Sequence, residues 1–337
     1  MILACDVGGT KTGLALYRRE GGALARVRGA TFRSADPPGF EAILRDFLRG
    51  EAGVERACVG AAGPVSDGRC RLTNIDWTVD EASIRGWSGA REAYLINDLQ
   101  AMASSLPFLP PAGLAILQEG VPAARGNAAV LAAGTGLGEG FLVASGDGYV
   151  PLASEGGHVD FAPRSGREEK LLAWMREKYG RVSVERVLSG PGLRDIHRFL
   201  RETERLPEGP EVAAAAEGPD PSRAIVAGGL SGESVACAET LRLFCSVFGA
   251  VAGNLALQYL AAGGVYLGGG IAPALLPALR EGPFLAAFRA KGRMAGLLAR
   301  IPVAVILDPD APLLGAAEYA AGGGVLRPRY NTGSIPP

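Results

Sequence analysis

ILACDVGGTKTGLALYRREGGALARV, residues 2–27, carries the pattern from which the fold can be inferred. A short apolar strand runs into a Gly-Gly-Thr turn, a second strand follows, and a Glu-Gly-Gly turn opens a hairpin into a third strand. Residues 128–153, AAVLAAGTGLGEGFLVASGDGYVPLA, repeat this order of elements in pattern, though not in residue identity. The repetition predicts a duplicated β-sheet unit, with a glycine-rich turn after the first strand of each copy.

Strand-like and helix-like segments alternate along the rest of the chain, which is typical of an α/β protein. At 337 residues the chain is long for one hydrophobic core, so two domains are expected. We predict a small α/β domain formed by residues 1–108 with about 309–325, and a large α/β domain formed by residues 109–308. Residues 326–337 lack an apolar period and are predicted to form a loose C-terminal tail.

The composition argues against several classes of partner. Lys and Arg number 34 and Asp and Glu 35, so the net charge is −1, without the basic excess that nucleic acids or acidic membrane surfaces attract. The five cysteines are scattered without a C-x-x-C pair, which favours reduced thiols in a cytoplasmic protein over disulfides or a zinc ribbon.

Targeting signals are not visible at the N-terminus, which begins directly with a strand-like segment. No apolar run is expected to reach the roughly 18 residues of a membrane helix. The nearest run, residues 249–271, is interrupted by glycine and amide residues and ends in a β-like segment. It therefore predicts a buried helix followed by a strand.

Three glycine-rich turns are candidate ligand sites, because converging backbone N–H groups bind phosphate oxygens and glycine leaves room for the ligand. An acid precedes only the first turn, where the Asp6 carboxylate could hold Mg²⁺ through water. The second turn predicts a phosphate contact alone, and the third, apolar turn fits an adenine or ribose surface. The residues are Asp6, Gly8, Gly9, Thr10 and Lys11; Gly134, Thr135 and Gly136; and Gly268, Gly269 and Gly270.

The alternative for each turn is an ordinary β-turn without a ligand. Known nucleotide motifs do not match: the chain has no G-x-x-x-x-G-K-[ST] sequence, so a P-loop is absent. The segment GTGLGEG at residues 134–140 is followed by a strand, whereas a dinucleotide-binding turn opens a helix.

Polar side chains at two further places could carry chemistry. Asp98 follows a buried strand, so it could act as a catalytic base or simply cap the helix predicted to start at Leu99. The segment SEGGHVDFAP, residues 154–163, holds one of only two histidines, His158. From composition alone this segment could be a zinc site, a proton shuttle, a sugar-binding loop or a polar turn. The other histidine, His197, is expected to be a half-buried helix residue without a role.

The segments DVGGTKT, LIND, GTGLG, EGGHVDF, ERVLSGPGL and GGVYLGGGI follow one another in the order found in the bacterial glucokinase family, which this chain resembles from Asp6 to about Gly315. That family belongs to the hexokinase/actin/Hsp70 ATPase superfamily. The resemblance implies an actin-like, ribonuclease-H-like ATPase fold of two domains with a cleft between them. It also implies a cytoplasmic enzyme, expected to be a homodimer, that uses ATP and Mg²⁺ to phosphorylate glucose at the 6-hydroxyl for entry into glycolysis.

The resemblance assigns roles to individual positions. It implies that Asp98 is the catalytic base, that residues 8–10 and 134–136 are the phosphate loops, and that residues 268–270 are the adenosine region. The sugar-contacting positions are Asn97, Asp98, Glu155, His158 and Glu185.

Alternative interpretations remain at some of these positions. Glu185 could instead form a surface ion pair with Arg186, and Lys11 stands where some relatives have Asn, which leaves its phosphate contact open.

Related ROK sugar kinases carry a cysteine-rich zinc motif after the comparable histidine. Here the next cysteine after His158 is Cys237, so a non-zinc enzyme is expected; an N-terminal helix-turn-helix of the ROK repressor type is also missing. Two alternatives stay open: a kinase for another hexose, such as mannose, fructose or an N-acetylhexosamine, and a non-catalytic sugar sensor or filament protein of the same fold. Polyphosphate or ADP as the phosphoryl donor is not excluded by the residues.

Overall fold

The computed structural model describes residues 1–328 except 52, 122 and 124. The strands are β1 (Ile2–Val7), β2 (Lys11–Glu20), β3 (Ala23–Arg33), β4 (Arg56–Ala61), β5 (Val65–Ser66), β6 (Arg69–Arg71), β7 (Thr78–Asp80), β8 (Glu92–Asn97), β9 (Leu114–Gln118), β10 (Ala128–Ala133), β11 (Leu137–Ser145), β12 (Gly148–Ser154), β13 (Gly264–Gly268) and β14 (Val303–Ile306).

The α-helices lie mainly in the second half of the chain. They are α1 (Phe40–Phe47), α2 (Glu81–Ser88), α3 (Asp98–Ser105), α4 (Gly166–Tyr179), α5 (Val184–Val187), α6 (Gly190–Glu204), α7 (Pro210–Ala216), α8 (Pro221–Ser231), α9 (Val235–Gln258), α10 (Ile271–Ala274), α11 (Leu276–Arg280), α12 (Pro283–Arg289), α13 (Ala295–Leu298) and α14 (Ala311–Gly322). Short 3-10 turns occur at Leu106–Phe108, Pro111–Gly113, Gly156–His158 and Gly292–Met294.

Two mixed sheets have the same internal plan. The first sheet has the strand order β3-β2-β1-β4-β8 and the second β12-β11-β10-β13-β14-β9. In each, the first strand pairs antiparallel with the next strand along the chain and parallel with a later one on its other side. The duplicated β-sheet unit predicted from the repeat is therefore confirmed. A small third sheet, β5-β6-β7, accompanies the first.

Helix α3 contacts both large sheets, because glycines allow its backbone to approach closely. A Cβ atom at Gly138 or Gly140 of β11 would lie 2.3–2.4 Å from atoms of Leu99 in α3. On the other side, a Cβ at Gly315 of α14 would lie 1.8 Å from the carbonyl oxygen of Ala101. Real side-chain atoms do not approach so closely, so these positions require glycine. The first residue of α3 is consequently held in a fixed place between the two sheets.

The C-terminal helix α14 packs against β1 and β4 of the first sheet. Its apolar residues Leu313, Ala316 and Ala320 form one buried cluster with residues of β1 and β8. This packing supports our proposal that residues 309–325 belong with the N-terminal unit. The predicted tail from residue 326 is wrong at its first residue, because buried Leu326 exchanges two backbone hydrogen bonds with Tyr149. The rest of that prediction falls mainly on residues 329–337, which lie outside the described residues.

Helix α9 is long and apolar enough to cross a membrane, which corrects the expectation that no such run exists. Some 67% of its most apolar window is buried within the protein, and core helices commonly have this composition. Its side chains belong to the large hydrophobic core beneath the second sheet. The predicted order of a buried helix followed by a strand is confirmed by α9 and β13. The five cysteines are buried and unpaired, as expected for reduced thiols.

Candidate active site

Two carboxylates lie at the ends of neighbouring parallel strands in the first sheet. Asp6 is in β1 and Asp98 follows β8, with β4 between them. Burial, and to a smaller extent the charge of Asp98, raise the pKa of Asp6 to about 7. Asp6 is in register with Gly60 of β4, and Gly60 with Ile96 of β8, so the two carboxylates lie at the same edge of the sheet. Such a pair of hard oxygen donors fits Mg²⁺, and a cation between them would relieve their repulsion.

Asp98 is the first residue of α3, and its Oδ1 atom accepts a hydrogen bond of 2.9 Å from the Leu99 N–H. The pKa of Asp98 is raised to about 6, mainly by burial and also by the charge of Glu155, while the hydrogen bond from the Leu99 N–H opposes the rise. The carboxyl group thus stands between Asp6 of the first sheet and the Glu155 loop that follows the second. A carboxylate with a raised pKa in such a place is suited to accept a proton.

Asn97 is the N-cap of α3, which corrects the alternative that Asp98 caps a helix starting at Leu99. Its Oδ1 accepts hydrogen bonds from the Leu99 and Gln100 N–H groups at 2.9 and 3.4 Å. Its Nδ2 donates to the carbonyl oxygen of Gly63 at 3.2 Å. Its side chain also hydrogen-bonds to the Asp98 carboxyl group and thereby lowers the pKa of Asp98, so Asn97 helps to position that group.

The residues Glu155, His158 and Glu185 come together, although Glu185 lies 27 positions beyond His158 in sequence. Nε2 of His158 lies 3.8 Å from Oε2 of Glu155, and Nδ1 lies 3.8 Å from Oε1 of Glu185. The imidazole is 56% exposed and the Glu185 side chain 29% exposed. The three side chains form an open row of hydrogen-bonding groups, so the alternative of a Glu185–Arg186 surface pair is not what the structure contains.

The first glycine turn, residues 8–11, is held by the end of β3. The Gly8 N–H donates to the Lys11 carbonyl at 3.0 Å, and Oγ of Ser34 donates to the Gly8 carbonyl at 2.7 Å. A Cβ at Gly9 would lie 2.5 Å from Cβ of Asn74, so a second loop closes over the turn. The exposed members of the turn are Thr10 and Lys11.

The second turn, residues 134–136, lies directly beside Glu185. The Leu137 N–H donates to Oε2 of Glu185 at 2.9 Å, and a Cβ at Gly136 would lie 2.5 Å from the same oxygen. The turn also receives the start of a long helix, since the N–H of Gly190, the first residue of α6, donates to the Gly134 carbonyl at 2.8 Å. The positive end of a 15-residue helix therefore adjoins this turn. Thr135 completes the turn with an exposed side chain.

The third turn follows β13, which lies parallel and adjacent to β10. Gly269 has φ +77°, and a Cβ there would lie 2.2 Å from the carbonyl oxygen of Ala133. A Cβ at Gly268 would lie 2.5 Å from the sulfur of Met102 in α3, whereas Gly270 faces open space. The second and third turns thus form one continuous glycine-lined surface at the ends of neighbouring strands.

Three features of this region were not predicted from the sequence: the α6 N-terminus, the Asn74 loop and Glu139. Glu139 is 5% exposed on β11, between the core residues Leu137 and Phe141. Burial raises its pKa to about 7. The alternation of the strand was the available signal, because it turns residue 139 toward the core. Nothing in the local sequence indicates that α6 or the Asn74 loop would reach the turns.

His197 is 1% exposed on α6, which corrects the expectation of a half-buried residue. Its Nε2 lies 2.7 Å from Oε1 of Glu208, to which Sγ of Cys237 also donates at 3.4 Å. Within the described part of the chain, this is the one group of three or more side chains placed to share a metal ion. Nε of Arg201 lies 3.1 Å from the other oxygen of Glu208, so the protein already neutralises that carboxylate. We interpret the cluster as a buried polar network between α6 and α9.

Comparisons with known proteins agree with this geometry. The family model described as glucokinase matches residues 3–322. The glucokinase of Nostoc punctiforme is 39% identical, over 95% of this chain and 99% of its own. The crystal structure of glucokinase from an Antarctic psychrotroph superposes with a TM-score of 0.82 at 30% identity, covering 95% of this chain and 98% of its own.

A more distant structure shows how far the fold extends. The ROK-family glucokinase of Streptomyces griseus, in complex with glucose and AMPPNP, has a TM-score of 0.64 at 21% identity and covers 96% of this chain and 99% of its own. The two-sheet α/β fold expected for an actin-like ATPase is therefore confirmed. By sequence along nearly its whole length, and by structure, the chain belongs to the glucokinase family.

Proposed function

We propose that the chain transfers the γ-phosphoryl group of ATP to the 6-hydroxyl of glucose, which gives glucose 6-phosphate and ADP. The supporting observation is the position of Asp98. It is half-buried at the edge of the first sheet, and its charge interacts with those of Asp6 and Glu155. A sugar held by the Glu155 loop and a phosphate held near Asp6 would meet at this residue.

In the proposed mechanism, Asp98 accepts the proton of the 6-hydroxyl as its oxygen attacks the γ-phosphorus. The ADP leaving group departs from the opposite side of that phosphorus. Phosphoryl transfer needs little further covalent chemistry from the protein, only alignment and neutralisation of charge. The Leu99 N–H at 2.9 Å from Oδ1 fixes the carboxylate, so that it is oriented before the sugar arrives.

The proposed sugar ligands are Glu155, His158, Glu185, Asp98 and Asn97. Carboxylates accept hydrogen bonds from hydroxyl groups, and the imidazole between the two glutamates is oriented by both of them. A hexose with an inverted or missing hydroxyl would leave such a group unpaired, and that penalty discriminates between sugars. We assign His158 the role of a sugar ligand and not of the proton acceptor.

The proposed phosphate contacts are the turns at residues 8–10 and 134–136, with the adenosine on the surface at residues 268–270. The second turn offers backbone N–H groups beside the positive end of α6, which favours an anion without any side-chain charge. Asp6 would hold Mg²⁺ through water, and the ion would supply neutralisation of the phosphate charge. Lys11 is exposed beside the first turn and provides a further positive charge.

We further propose a small domain of residues 1–108 with 309–325 and a large domain of 109–308, which close over the sugar and exclude water. The proline-bearing segments 105–111 and 308–312 are the proposed hinges. A cytoplasmic homodimer acting at the entry of glycolysis is part of the same proposal. Light scattering coupled to size-exclusion chromatography tests the dimer.

The function is tested by a coupled assay of ADP release with ATP over a panel of glucose, mannose, fructose and N-acetylglucosamine. We expect glucose to give a kcat/KM at least about tenfold above the others, as a hydroxyl-reading site predicts. The panel is then repeated with polyphosphate and with ADP as donors. A higher kcat/KM for another hexose would move the proposal to that sugar, and no ADP release with any hexose would point to a sensor.

A further inference from the structure

A cavity of about 770 Å³ lies between the loop that carries His158 and helix α9. The charged side chains in its lining are Glu139, Asp160, Arg164 and Lys291, and Ser154, Asn254 and Gln258 add neutral polar groups. Asp160 is paired with Arg181 at 2.7 Å. The cavity is on the opposite face of β11 from Asp98. On that strand Gly138 and Gly140 approach Leu99 of α3, whereas residue 139 alternates to the other side. It is therefore separate from the proposed catalytic site.

The carboxylate of Glu139 has no partner within the described part of the chain. The residue is 5% exposed, and no hydrogen bond or ion pair of the described residues involves its side chain. The rise of its pKa has burial as its only cause, so no charged group of the protein compensates it. Its oxygens are not among the fully enclosed unpaired atoms of the described residues, so they open onto the cavity. A carboxylate that is desolvated on its other sides is stabilised by a donor on its open side. Because it lines the cavity, its natural partner is a hydrogen-bond donor brought by a ligand.

The lining of the cavity also carries an unpaired positive charge. Nζ of Lys291 donates to the Ala250 carbonyl at 2.8 Å and to Oδ1 of Asn254 at 2.5 Å, both neutral groups. Within the described residues no carboxylate forms an ion pair with it. Arg164 lies close enough that its charge, after burial, lowers the pKa of Lys291. The charge of Arg164 is itself balanced by Glu168 at 2.6 Å, so Lys291 is left as the unpaired cation.

We propose that this cavity is a second ligand site for a hydroxylated phosphate monoester, with hydroxyl groups on Glu139 and the phosphate on Lys291. An anion needs the positive end, and a polyol supplies the donors that Glu139 lacks. The volume lies in the range of small-molecule sites, roughly 300–1,000 Å³. If the proposed function holds, the reaction's own product, glucose 6-phosphate, belongs to this chemical class.

Residues of the loop that carries the proposed sugar ligands Glu155 and His158, here called the sugar loop, also line this cavity, so a ligand in the cavity would act on the loop. Gly156 and Val159 line the cavity. Gly156 directly follows Glu155 in the chain, and Val159 directly follows His158. A Cβ at Gly156 would lie 1.9 Å from Oε2 of Glu139, so that carboxylate rests against the loop. A ligand that draws Glu139 toward itself would change the position of the loop, and any change in sugar affinity must be reciprocated in the affinity of this ligand.

The test is isothermal titration of glucose 6-phosphate into the full chain held at saturating glucose, which blocks the sugar site against the product. We expect binding of one molecule per chain. Lys291→Met and Glu139→Ala should each weaken it at least about tenfold, since each removes one charge-assisted contact. Lys170→Met, which removes an exposed cation of α4, is the matched control and should bind as the wild type does.

Inorganic phosphate and glucitol, titrated separately, distinguish the two halves of the ligand, and both should bind at least about tenfold more weakly. No heat with glucose 6-phosphate, unchanged affinity in either variant, or equal affinity for inorganic phosphate would each overturn the proposal. Because Lys291 also ties the end of α12 to α9, thermal melts of both variants are recorded. Glu139→Ala removes no hydrogen bond or ion pair of the described residues, so it keeps the test valid if Lys291→Met unfolds. The kinase assay of the wild type is scored separately, so absence of this binding in a wild-type chain that turns over normally rejects the site and not the function.

Discussion

The two sheets have the same type of turn, but only the first carries a charged side chain at its strand end. In the first, Asp6 of β1 pairs with Gly13 and with Gly60. In the second, Ala132 of β10 pairs with Gly138 and with Gly268, so it occupies the position equivalent to Asp6. The backbone plan is copied and the charge is not. One copy therefore brings a carboxylate to the strand end, and the other brings an uncharged surface.

The two copies also differ in what approaches them from outside. The turn at Gly134 is met by the N-terminus of α6, and that at Gly9 by the Asn74 loop. In the proposed function, the copy with the Gly9 turn would serve metal binding and proton transfer. The copy with the Gly134 turn would hold phosphate by backbone groups alone. A duplicated fold can thus divide two tasks between copies by changing a few residues, since the strand ends already face the same region.

The largest expected effect tests the charged copy directly. Asp98→Asn keeps the shape and removes the base, so kcat should fall about 1,000-fold, within the range for general base catalysis. Glucose affinity, measured by intrinsic fluorescence or calorimetry, should stay within about twofold. Asp147→Asn, an exposed residue in the hairpin between β11 and β12, is the control and should leave kcat unchanged. A near-normal kcat in Asp98→Asn would show that Asp98 is not the catalytic base.

The next effect concerns Asp6 itself. Asp6→Asn should lower kcat/KM for ATP about 100-fold, as expected when one electrostatic stabiliser of the phosphates is lost. The half-saturating Mg²⁺ concentration should rise, because a neutral amide holds the hydrated ion less well. Steady-state rates over a Mg²⁺ series measure both. If the Mg²⁺ dependence is unchanged, the asymmetry between the two turns has another purpose.

A smaller effect is expected from pH. With a pKa of about 6 for Asp98, the base is mostly ionised at pH 7 and mostly protonated at pH 5. The kcat/KM for glucose should therefore be about tenfold lower at pH 5 than at pH 7. Glu155→Gln removes the neighbouring charge that raises this pKa, so the midpoint should move to lower pH. An unchanged midpoint would show that the charge of Glu155 does not act on the pKa of Asp98.

The smallest effect distinguishes two glycines of the uncharged copy. A Cβ at Gly136 would lie 2.5 Å from Oε2 of Glu185, so Gly136→Ala should displace that carboxylate from the Leu137 N–H. The KM for glucose should rise about fivefold, equivalent to about 1 kcal/mol for one hydrogen bond. Gly134→Ala meets nothing within 4 Å and is the matched control. Equal KM values in the two variants would argue that Glu185 does not bind the sugar.

Much of the proposed site was predictable because its parts are local. The glycine turns follow strands of recognisable apolar pattern, and Asn97 and Asp98 stand where such a strand meets a helix. Such features depend on the backbone conformations available to a few consecutive residues. The exact start of α3 was less accessible, because Asn97 and Asp98 are both good caps and the choice depends on the Gly63 carbonyl that binds Asn97.

The sequence by itself determined the duplicated sheet plan, the three turns and the acid of the first turn, since each follows from periodicity and residue type along a continuous segment. Tertiary structure alone decided which groups meet: Glu185 beside His158 and Gly136, α6 at the second turn, and Glu139 buried beneath the sugar loop. The reason is physical. Long-range pairs are set by how helices and sheets pack, and residues far apart in the chain leave no local trace of that packing.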